Sequence, residues 1–122
     1  MASLTPDFAQ HFAEEWIAAW NARDLDRILA HYADDFAMSS PLIAKVVGEP
    51  GGRLCGAQNV RAYWAKAMQM APNLHFELLT VLLGVDSIAL YYRRENGRLA
   101  LEVFHFAADG KVEKAFAHYE NA

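Results

Sequence analysis

Several residue types that define large classes of protein are scarce in this sequence. Cys55 is the only cysteine among 122 residues, which excludes an internal disulfide and suits a reducing compartment. No apolar run approaches the ~20 residues that a membrane-spanning helix needs. The start of the sequence has neither the basic nor the apolar segment of a secretory signal peptide. We therefore expect a cytoplasmic protein with no membrane partner.

Charge of one sign is not concentrated anywhere in the sequence. The 11 basic and 15 acidic residues give a formal net charge of −4, and both signs are mixed along the chain. Without a basic face, nucleic acids and anionic membranes are poor candidates for partners. Apolar residues make up 54% and charged residues 21%, which is typical of a globular protein. Residues 1–122 are long enough for one domain with its own core.

Three segments have the apolar spacing of amphipathic helices. The first runs from about 6 to 22, after Thr5 as its N-cap. Asp24 caps a second helix, and a third runs from about 57 to 70 and ends before Pro72. The apolar faces of the first and third helices contain the three tryptophans, Trp16, Trp20 and Trp64.

The rest of the sequence has the pattern of strands and turns. Phe36 to Pro41 predicts a short strand, which is followed by a loop that contains Gly48, Pro50, Gly51 and Gly52. Beyond Pro72, β-branched and aromatic residues predict four more strands, His75–Leu83, Ser87–Glu95, Arg98–Ala107 and Lys111–Tyr119. The order ααβαββββ predicts an α+β fold with three helices packed on a curved, mainly antiparallel sheet.

Two turns predict which side chains share a face of this sheet. If Asn96-Gly97 and Asp109-Gly110 are both two-residue turns, Glu102 lies opposite Tyr91 on one side and Ala117 on the other. One face then carries Ala89, Tyr91, Glu102, Phe104, Ala115, Ala117 and Tyr119. The other face carries Ile88, Leu90, Tyr92, Leu101, Val103, His105, Phe116 and His118.

Both faces are largely apolar, although three helices can cover only one of them. Alanines on the first, concave face leave volume opposite the helices, which predicts a pocket for a small apolar molecule. In the simpler interpretation, the three tryptophans fill that volume. On the second, convex face we expect another copy of the chain, in a homodimer that buries Leu90, Tyr92, Leu101, Val103 and Phe116.

Several groups of residues together resemble one protein family. They are Asp24-Leu25-Asp26 with His31-Tyr32-Ala33-Asp34-Asp35-Phe36 and Ser40-Pro41, Gly56-Ala57 with Tyr63-Trp64, and Leu101-Glu102-Val103-Phe104-His105-Phe106 with Asp109-Gly110-Lys111-Val112. In this order they are similar to the SnoaL-like polyketide cyclase and ketosteroid isomerase branch of the nuclear transport factor two superfamily. The resemblance spans essentially the whole chain and implies a cone-shaped, cystatin-like fold. Because that fold hosts isomerases, cyclases, hydrolases, transport factors and ligand binders, it does not identify an activity.

The catalytic residues of ketosteroid isomerase are only partly matched. That enzyme uses an aspartate base beside an oxyanion hole formed by a tyrosine and a protonated aspartate. The resemblance places the base position at Ser40, the tyrosine at Trp16, the protonated acid at Glu102 and another pocket tyrosine at Trp64. Serine does not abstract a proton from carbon unaided, and an indole N–H only donates hydrogen bonds. This difference argues against steroid isomerase activity of the known type.

Glu102 is the strongest candidate for chemistry. Desolvation on the concave face would favour its neutral form and suit it to act as a general acid or base. We expect Tyr91 to be its hydrogen-bonding partner and Ser40 to contact the polar end of a ligand. The expected pocket walls are Trp16, Trp20, Met38, Trp64, Phe104 and Tyr119. In the alternative interpretation, Glu102 is structural and its carboxylate is satisfied by Tyr91 or Arg93.

The leading hypothesis is proton transfer on a small, mostly apolar carbonyl compound, without a metal or an organic cofactor. The five histidines have no metal-ligand spacing. Gly48 to Gly52 lacks the continuation of a phosphate-binding loop and is either a lid or a plain surface loop. Two alternatives stay open, namely a binding module of the same fold that performs no reaction and a purely structural dimerisation domain.

Overall fold

The structure, a computed structural model, describes residues 4–121. All of the helices in this part of the chain precede the last four strands. In chain order the elements are α1 (Pro6–Asn21), α2 (Leu25–Leu29), β1 (Tyr32–Ser39), α3 (Pro41–Val47), β2 (Arg53–Cys55), α4 (Ala57–Met70), β3 (Glu77–Leu83), β4 (Ser87–Arg93), β5 (Leu99–Phe106) and β6 (Val112–Tyr119).

The first two helices begin at their predicted caps. Thr5 Oγ1 accepts a hydrogen bond from the Phe8 amide at 3.1 Å, and Asp24 Oδ1 accepts one from the Arg27 amide at 3.2 Å. Each bond satisfies an amide that lacks a partner within the helix. The predicted bounds of α1 and α4 are correct to within one residue.

The strands form one mixed sheet in the order β2-β1-β6-β5-β4-β3. Among the described strands, only β1 and β6 pair in parallel, and the others pair antiparallel. Side chains at alternate positions of β4 and β5 are buried on the helix-covered face; they are Ile88, Leu90, Tyr92, Ala100, Glu102, Phe104 and Phe106. The predicted α+β class with a mainly antiparallel sheet is therefore confirmed.

The segment between β1 and α4 is more regular than the predicted loop. Ser40 Oγ accepts a hydrogen bond from the Leu42 amide at 3.1 Å and caps α3, which ends at Gly48 with φ = 76°. The short strand β2 then pairs with β1, with Cys55 opposite Ala37. The prediction missed α3 because it is less than two full turns long and rich in β-branched residues.

The predicted register between β4 and β5 is wrong by one residue. The Arg94 amide donates to the Arg98 carbonyl at 2.8 Å, and the Gly97 amide donates to the Arg94 carbonyl at 2.9 Å. The connection is therefore a three-residue loop in which Gly97 has φ = 82°. Leu90, not Tyr91, lies opposite Glu102. Every side chain of β4 is consequently on the face opposite to its predicted one.

The predicted register between β5 and β6 is correct, because two deviations cancel. The second turn is also a three-residue loop, since the Ala107 amide donates to the Lys111 carbonyl at 2.8 Å. A register shift next to Phe106 then adds one residue to β6. Phe104 lies opposite Ala115 and Glu102 opposite Ala117, as expected. Glu102 therefore keeps its predicted place on the helix-covered face.

The open face of the sheet, which no helix covers, differs from the predicted dimer surface. Leu90 and Tyr92 are fully buried beneath the helices, so their assignment to the convex face is wrong. Their places are taken by Ala89 and Tyr91, which join Leu101, Val103 and Phe116 on the open face. Within residues 4–121, no helix is both long and apolar enough to cross a bilayer.

Candidate functional site

A cavity of about 210 Å³ lies between the helices and the helix-covered face of the sheet. Its helical walls come from α1, α3 and α4, through Trp16, Trp20, Leu42, Val46, Tyr63, Trp64, Ala67 and Met70. The remaining lining residues are Met38, Ala71, Leu74, Phe76, Tyr92, Arg94, Glu102 and Tyr119. The cavity is therefore mainly apolar and is lined by one acidic side chain, Glu102, and one basic side chain, Arg94.

Small residues in the sheet leave room for this cavity. Ala100 on β5 lies between Tyr92 on β4 and Tyr119 on β6, and Ala117 lies opposite Glu102. A methyl group at these positions fills much less of the space above the sheet than the neighbouring phenol rings would. Ala117 therefore keeps its predicted place on this face, and Ala100 lies on the same face.

Contacts among aromatic rings form one wall. The rings of Trp20 and Trp64 meet edge to face, with centroids 5.2 Å apart, and Trp16 stacks on Phe76 at 5.9 Å. Phe76 in turn contacts Tyr92 at 4.7 Å. Such contacts hold large rings in fixed orientations. The tryptophans pack against one another and still leave a cavity beside them.

Glu102 is buried in the floor of the cavity, with 3% of its surface exposed. The Tyr92 hydroxyl donates a hydrogen bond to Glu102 Oε1 at 3.4 Å, and no described arginine, lysine or histidine forms an ion pair with it. Burial raises the pKa of Glu102 to about 8, although the bond from Tyr92 opposes this rise. The carboxyl group is therefore mostly protonated at neutral pH.

Three phenols share the cavity with this acid. Burial raises the pKa of Tyr63 to about 12 and also raises those of Tyr92 and Tyr119. Each phenol consequently keeps its proton at neutral pH and can donate a hydrogen bond. The Tyr63 hydroxyl donates to Ser40 Oγ at 3.4 Å.

Six of the nine predicted site residues line the cavity, namely Trp16, Trp20, Met38, Trp64, Glu102 and Tyr119. Ser40 lies behind Tyr63, where its hydroxyl caps α3 and does not line the cavity. Phe104 is fully buried behind the cavity wall, with its ring 5.4 Å from that of Trp16.

Tyr91 requires a correction. It is on the open face of the sheet, because the three-residue loop before β5 shifts the register. It therefore cannot be the hydrogen-bonding partner of Glu102, and Tyr92 occupies that position. A three-residue loop before β5, in place of the predicted two-residue turn, would have placed Tyr92 on the same face as Glu102.

Arg94 is a lining residue that the sequence pattern did not predict. Its side chain is 21% exposed, lines the cavity and lies with the guanidinium carbon 5.0 Å from the centre of the Tyr119 ring. Arg94 follows Tyr92 by two positions, so the corrected alternation of β4 places both on the same face. Among the described residues, no group of three or more His, Cys, Asp or Glu side chains is placed to hold a metal ion.

Comparisons with known proteins agree with this architecture. A SnoaL-like protein of unknown function from Burkholderia thailandensis is 58% identical, with 98% of this chain and all 100% of that chain covered and a TM-score of 0.93. TerC, co-crystallised with polyporic acid, is 16% identical over 95% of this chain and 92% of its own, with a TM-score of 0.75.

A protein from Sinorhizobium meliloti that is provisionally named a polyketide cyclase shares the fold as well. It is 16% identical, with 93% of this chain and 95% of that chain covered and a TM-score of 0.73. No protein of curated function matches the chain significantly. The family of the SnoaL-like domain matches residues 13–115, which is most of the sequence. The chain therefore belongs to the SnoaL-like domain family.

Proposed function

We propose that the chain binds a small, mostly apolar carbonyl compound in the cavity and transfers a proton on it through Glu102, without a metal or an organic cofactor. The observation that carries this proposal is a buried carboxyl group that faces an apolar cavity, with a phenol as its hydrogen-bonding partner and no cation paired to it. Groups in such surroundings are common at sites of acid–base chemistry.

The raised pKa suits Glu102 to move protons in both directions. About a tenth of the molecules carry the carboxylate one pH unit below the pKa, and this carboxylate is a stronger base than an ordinary glutamate. It takes a proton from the carbon next to the carbonyl, and the C–H electron pair forms an enolate. When the substrate also has a carbon–carbon double bond next to that carbon, the enolate is conjugated, and the neutral acid returns the proton to the far carbon of the former double bond. The product is an isomer, with no atom gained or lost.

The phenol of Tyr119 is the proposed hydrogen-bond donor to the enolate oxygen. It is neutral at working pH and lines the same cavity as Glu102, whereas the hydroxyl proton of Tyr63 is donated to Ser40. Fixed donors aimed at a developing negative charge lower the barrier to its formation. Similarity of fold to a protein provisionally named a polyketide cyclase is consistent with chemistry on carbonyl compounds.

Hydrogen exchange tests this function directly. 1-Tetralone, a small apolar ketone, is incubated with the protein in D₂O, and deuterium at the carbon next to its carbonyl is followed by mass spectrometry. We expect the wild-type protein to accelerate exchange and Glu102→Gln to abolish the acceleration. Glu113→Gln is the matched control, since Glu113 is exposed on β6. Exchange that persists in Glu102→Gln would contradict the proposal.

A binding module without turnover is the second candidate, favoured by the mostly protonated state of Glu102. A neutral acid donates a hydrogen bond to a ligand but cannot abstract a proton. Binding of 1-tetralone without any exchange, and with weaker binding to Glu102→Gln, would support this candidate over the enzyme.

A homodimer in the cytoplasm completes the proposal. The partly buried apolar side chains on the open face, such as Tyr91, Leu101, Val103 and Phe116, suit isologous packing with a second copy. Light scattering should give the mass of a dimer for the wild type and of a monomer for Leu101→Glu. A monomeric wild-type protein would contradict this part of the proposal.

The free, exposed Cys55 suits a reducing compartment such as the cytoplasm.

A further inference from the structure

Arg94 brings a positive charge to a mainly apolar cavity. It directly follows β4, and about four-fifths of its side chain is removed from solvent, since 21% is exposed. The guanidinium lies over the ring of Tyr119 at 5.0 Å, and a cation in that place is attracted to the face of the ring. Tyr119 thus holds the charge at the cavity wall.

The guanidinium of Arg94 has no hydrogen-bond acceptor among the described residues. Oε2 of Glu95, 3.7 Å from the Arg94 side chain, forms an ion pair with it that is too long to be a hydrogen bond. Other arginines are bonded: Arg27 donates twice to Glu15 at 2.7 Å, and Arg93 donates to the Gly97 carbonyl at 3.0 Å. Arg94 is therefore a mostly buried cation with free donors that border the cavity.

The carboxylate that pairs with Arg94 lies outside the cavity lining, and no lining residue adds a full negative charge at neutral pH. Glu102, the one acid among the lining residues, does not pair with Arg94, and its burial in apolar surroundings favours the neutral form. A planar guanidinium with free N–H groups matches the two oxygens of a carboxylate. An anionic ligand in the cavity would supply the hydrogen-bond acceptors that the ion pair with Glu95 does not provide.

We propose that the ligand of the cavity is a small, mostly apolar organic acid whose carboxylate binds Arg94. This inference rests on the proposed function, which supplies the second polar group of the ligand, a carbonyl that faces Glu102. Arg94 is then a specificity-determining residue, and it distinguishes acids from neutral ketones of the same shape. Recognition of the acid does not require turnover, so it is measured by binding alone.

The test compares two probes of nearly the same shape, the anion 2-naphthoate and the neutral 2-naphthamide, by calorimetric titration at about pH 7. We expect the wild-type protein to bind the acid about tenfold more tightly or better, because hydrogen bonds to charged groups are worth at least that factor. Arg94→Met should remove this preference, and Arg94→Lys should keep part of it. Arg93→Met is the control and should keep all of it, since Arg93 lies outside the cavity lining.

Three outcomes would overturn the inference: equal affinity of the wild type for the two probes, a preference for the acid that survives in Arg94→Met, or no binding of 2-naphthoate at all. Circular dichroism of each variant separates these outcomes from loss of fold. The proposed function fails on a different measurement, because exchange of 1-tetralone depends on Glu102 and that ketone carries no acid group.

Discussion

The Tyr92 hydroxyl lies 3.4 Å from Glu102 Oε1 and donates the only hydrogen bond that this carboxyl group receives from a described side chain. The two residues are diagonal neighbours on adjacent strands, since Tyr92 pairs with Ala100 and Glu102 with Leu90. Both are fully enclosed by the helices and the sheet. The Tyr92 phenol therefore stabilises the ionised form of an acid whose pKa is raised mainly by burial.

Removal of that phenol should raise the pKa of Glu102 further. The bond from Tyr92 stabilises the ionised carboxylate and lowers a pKa that burial has raised to about 8. In Tyr92→Phe the ionised form loses this bond, so the midpoint should move to a higher pH. Carbon NMR of the labelled glutamate side chain measures it. Tyr91→Phe is the matched control on the open face, and a change of equal size in that variant would refute the role of Tyr92.

The stability of the protein should fall as the pH rises between about 4.5 and about 8, the ordinary and the folded pKa of Glu102. In this window the folded state keeps a proton that the unfolded state has lost, so the free energy of unfolding decreases by up to about 1.4 kcal/mol per pH unit. Below this window the neutral Glu102 makes its full contribution to stability, and above it that contribution is lost completely.

Urea unfolding at several pH values measures this slope. In Glu102→Gln the side chain does not titrate, so the difference in unfolding free energy between wild type and variant isolates Glu102 from all other groups. Across the window that difference should change by up to about 1.4 kcal/mol for each pH unit. A pH-independent difference would mean that the carboxyl group titrates normally.

The two tryptophans of α1 should differ in their response to substitution by phenylalanine. Trp16 Nε1 donates to the Tyr32 hydroxyl at 2.9 Å, whereas Trp20 Nε1 is buried without a partner among the described residues. Trp16→Phe removes an existing hydrogen bond, whereas Trp20→Phe removes a donor that has no partner. Trp16→Phe should therefore lower the free energy of unfolding by about 1 kcal/mol more than Trp20→Phe. Urea unfolding of both variants gives the comparison, and a larger loss for Trp20→Phe would contradict it.

Gly97 should resist substitution because its backbone has φ = 82°. A side chain in this left-handed region is strained, so Gly97→Ala should destabilise the protein by about 1 kcal/mol. Gly51 is the control: a Cβ there meets only the flexible Glu49 side chain at 3.8 Å and needs no such φ. Gly51→Ala should leave the thermal midpoint unchanged or slightly higher. Equal effects of the two substitutions would argue against a left-handed Gly97.

Local patterns in the sequence determined helices α1, α2 and α4 and the place of Glu102 on its strand. A cap such as Thr5 or Asp24 acts within three residues, so its effect on helix α1 or α2 does not depend on the rest of the chain. Alternation along β5 likewise puts Glu102 with Phe104 on one face, whatever strand lies next to it. The family resemblance rests on the same local motifs.

Tertiary structure alone decided which residues surround Glu102. The length of the loop before β5 and the register shift near Phe106 depend on how whole strands pair, and they exchanged Tyr91 for Tyr92 while they kept Ala117 in place. The cavity and the unbonded guanidinium of Arg94 are likewise properties of space between distant elements. No spacing along the chain encodes a volume, because a cavity exists only where helices and sheet, once packed, fail to meet.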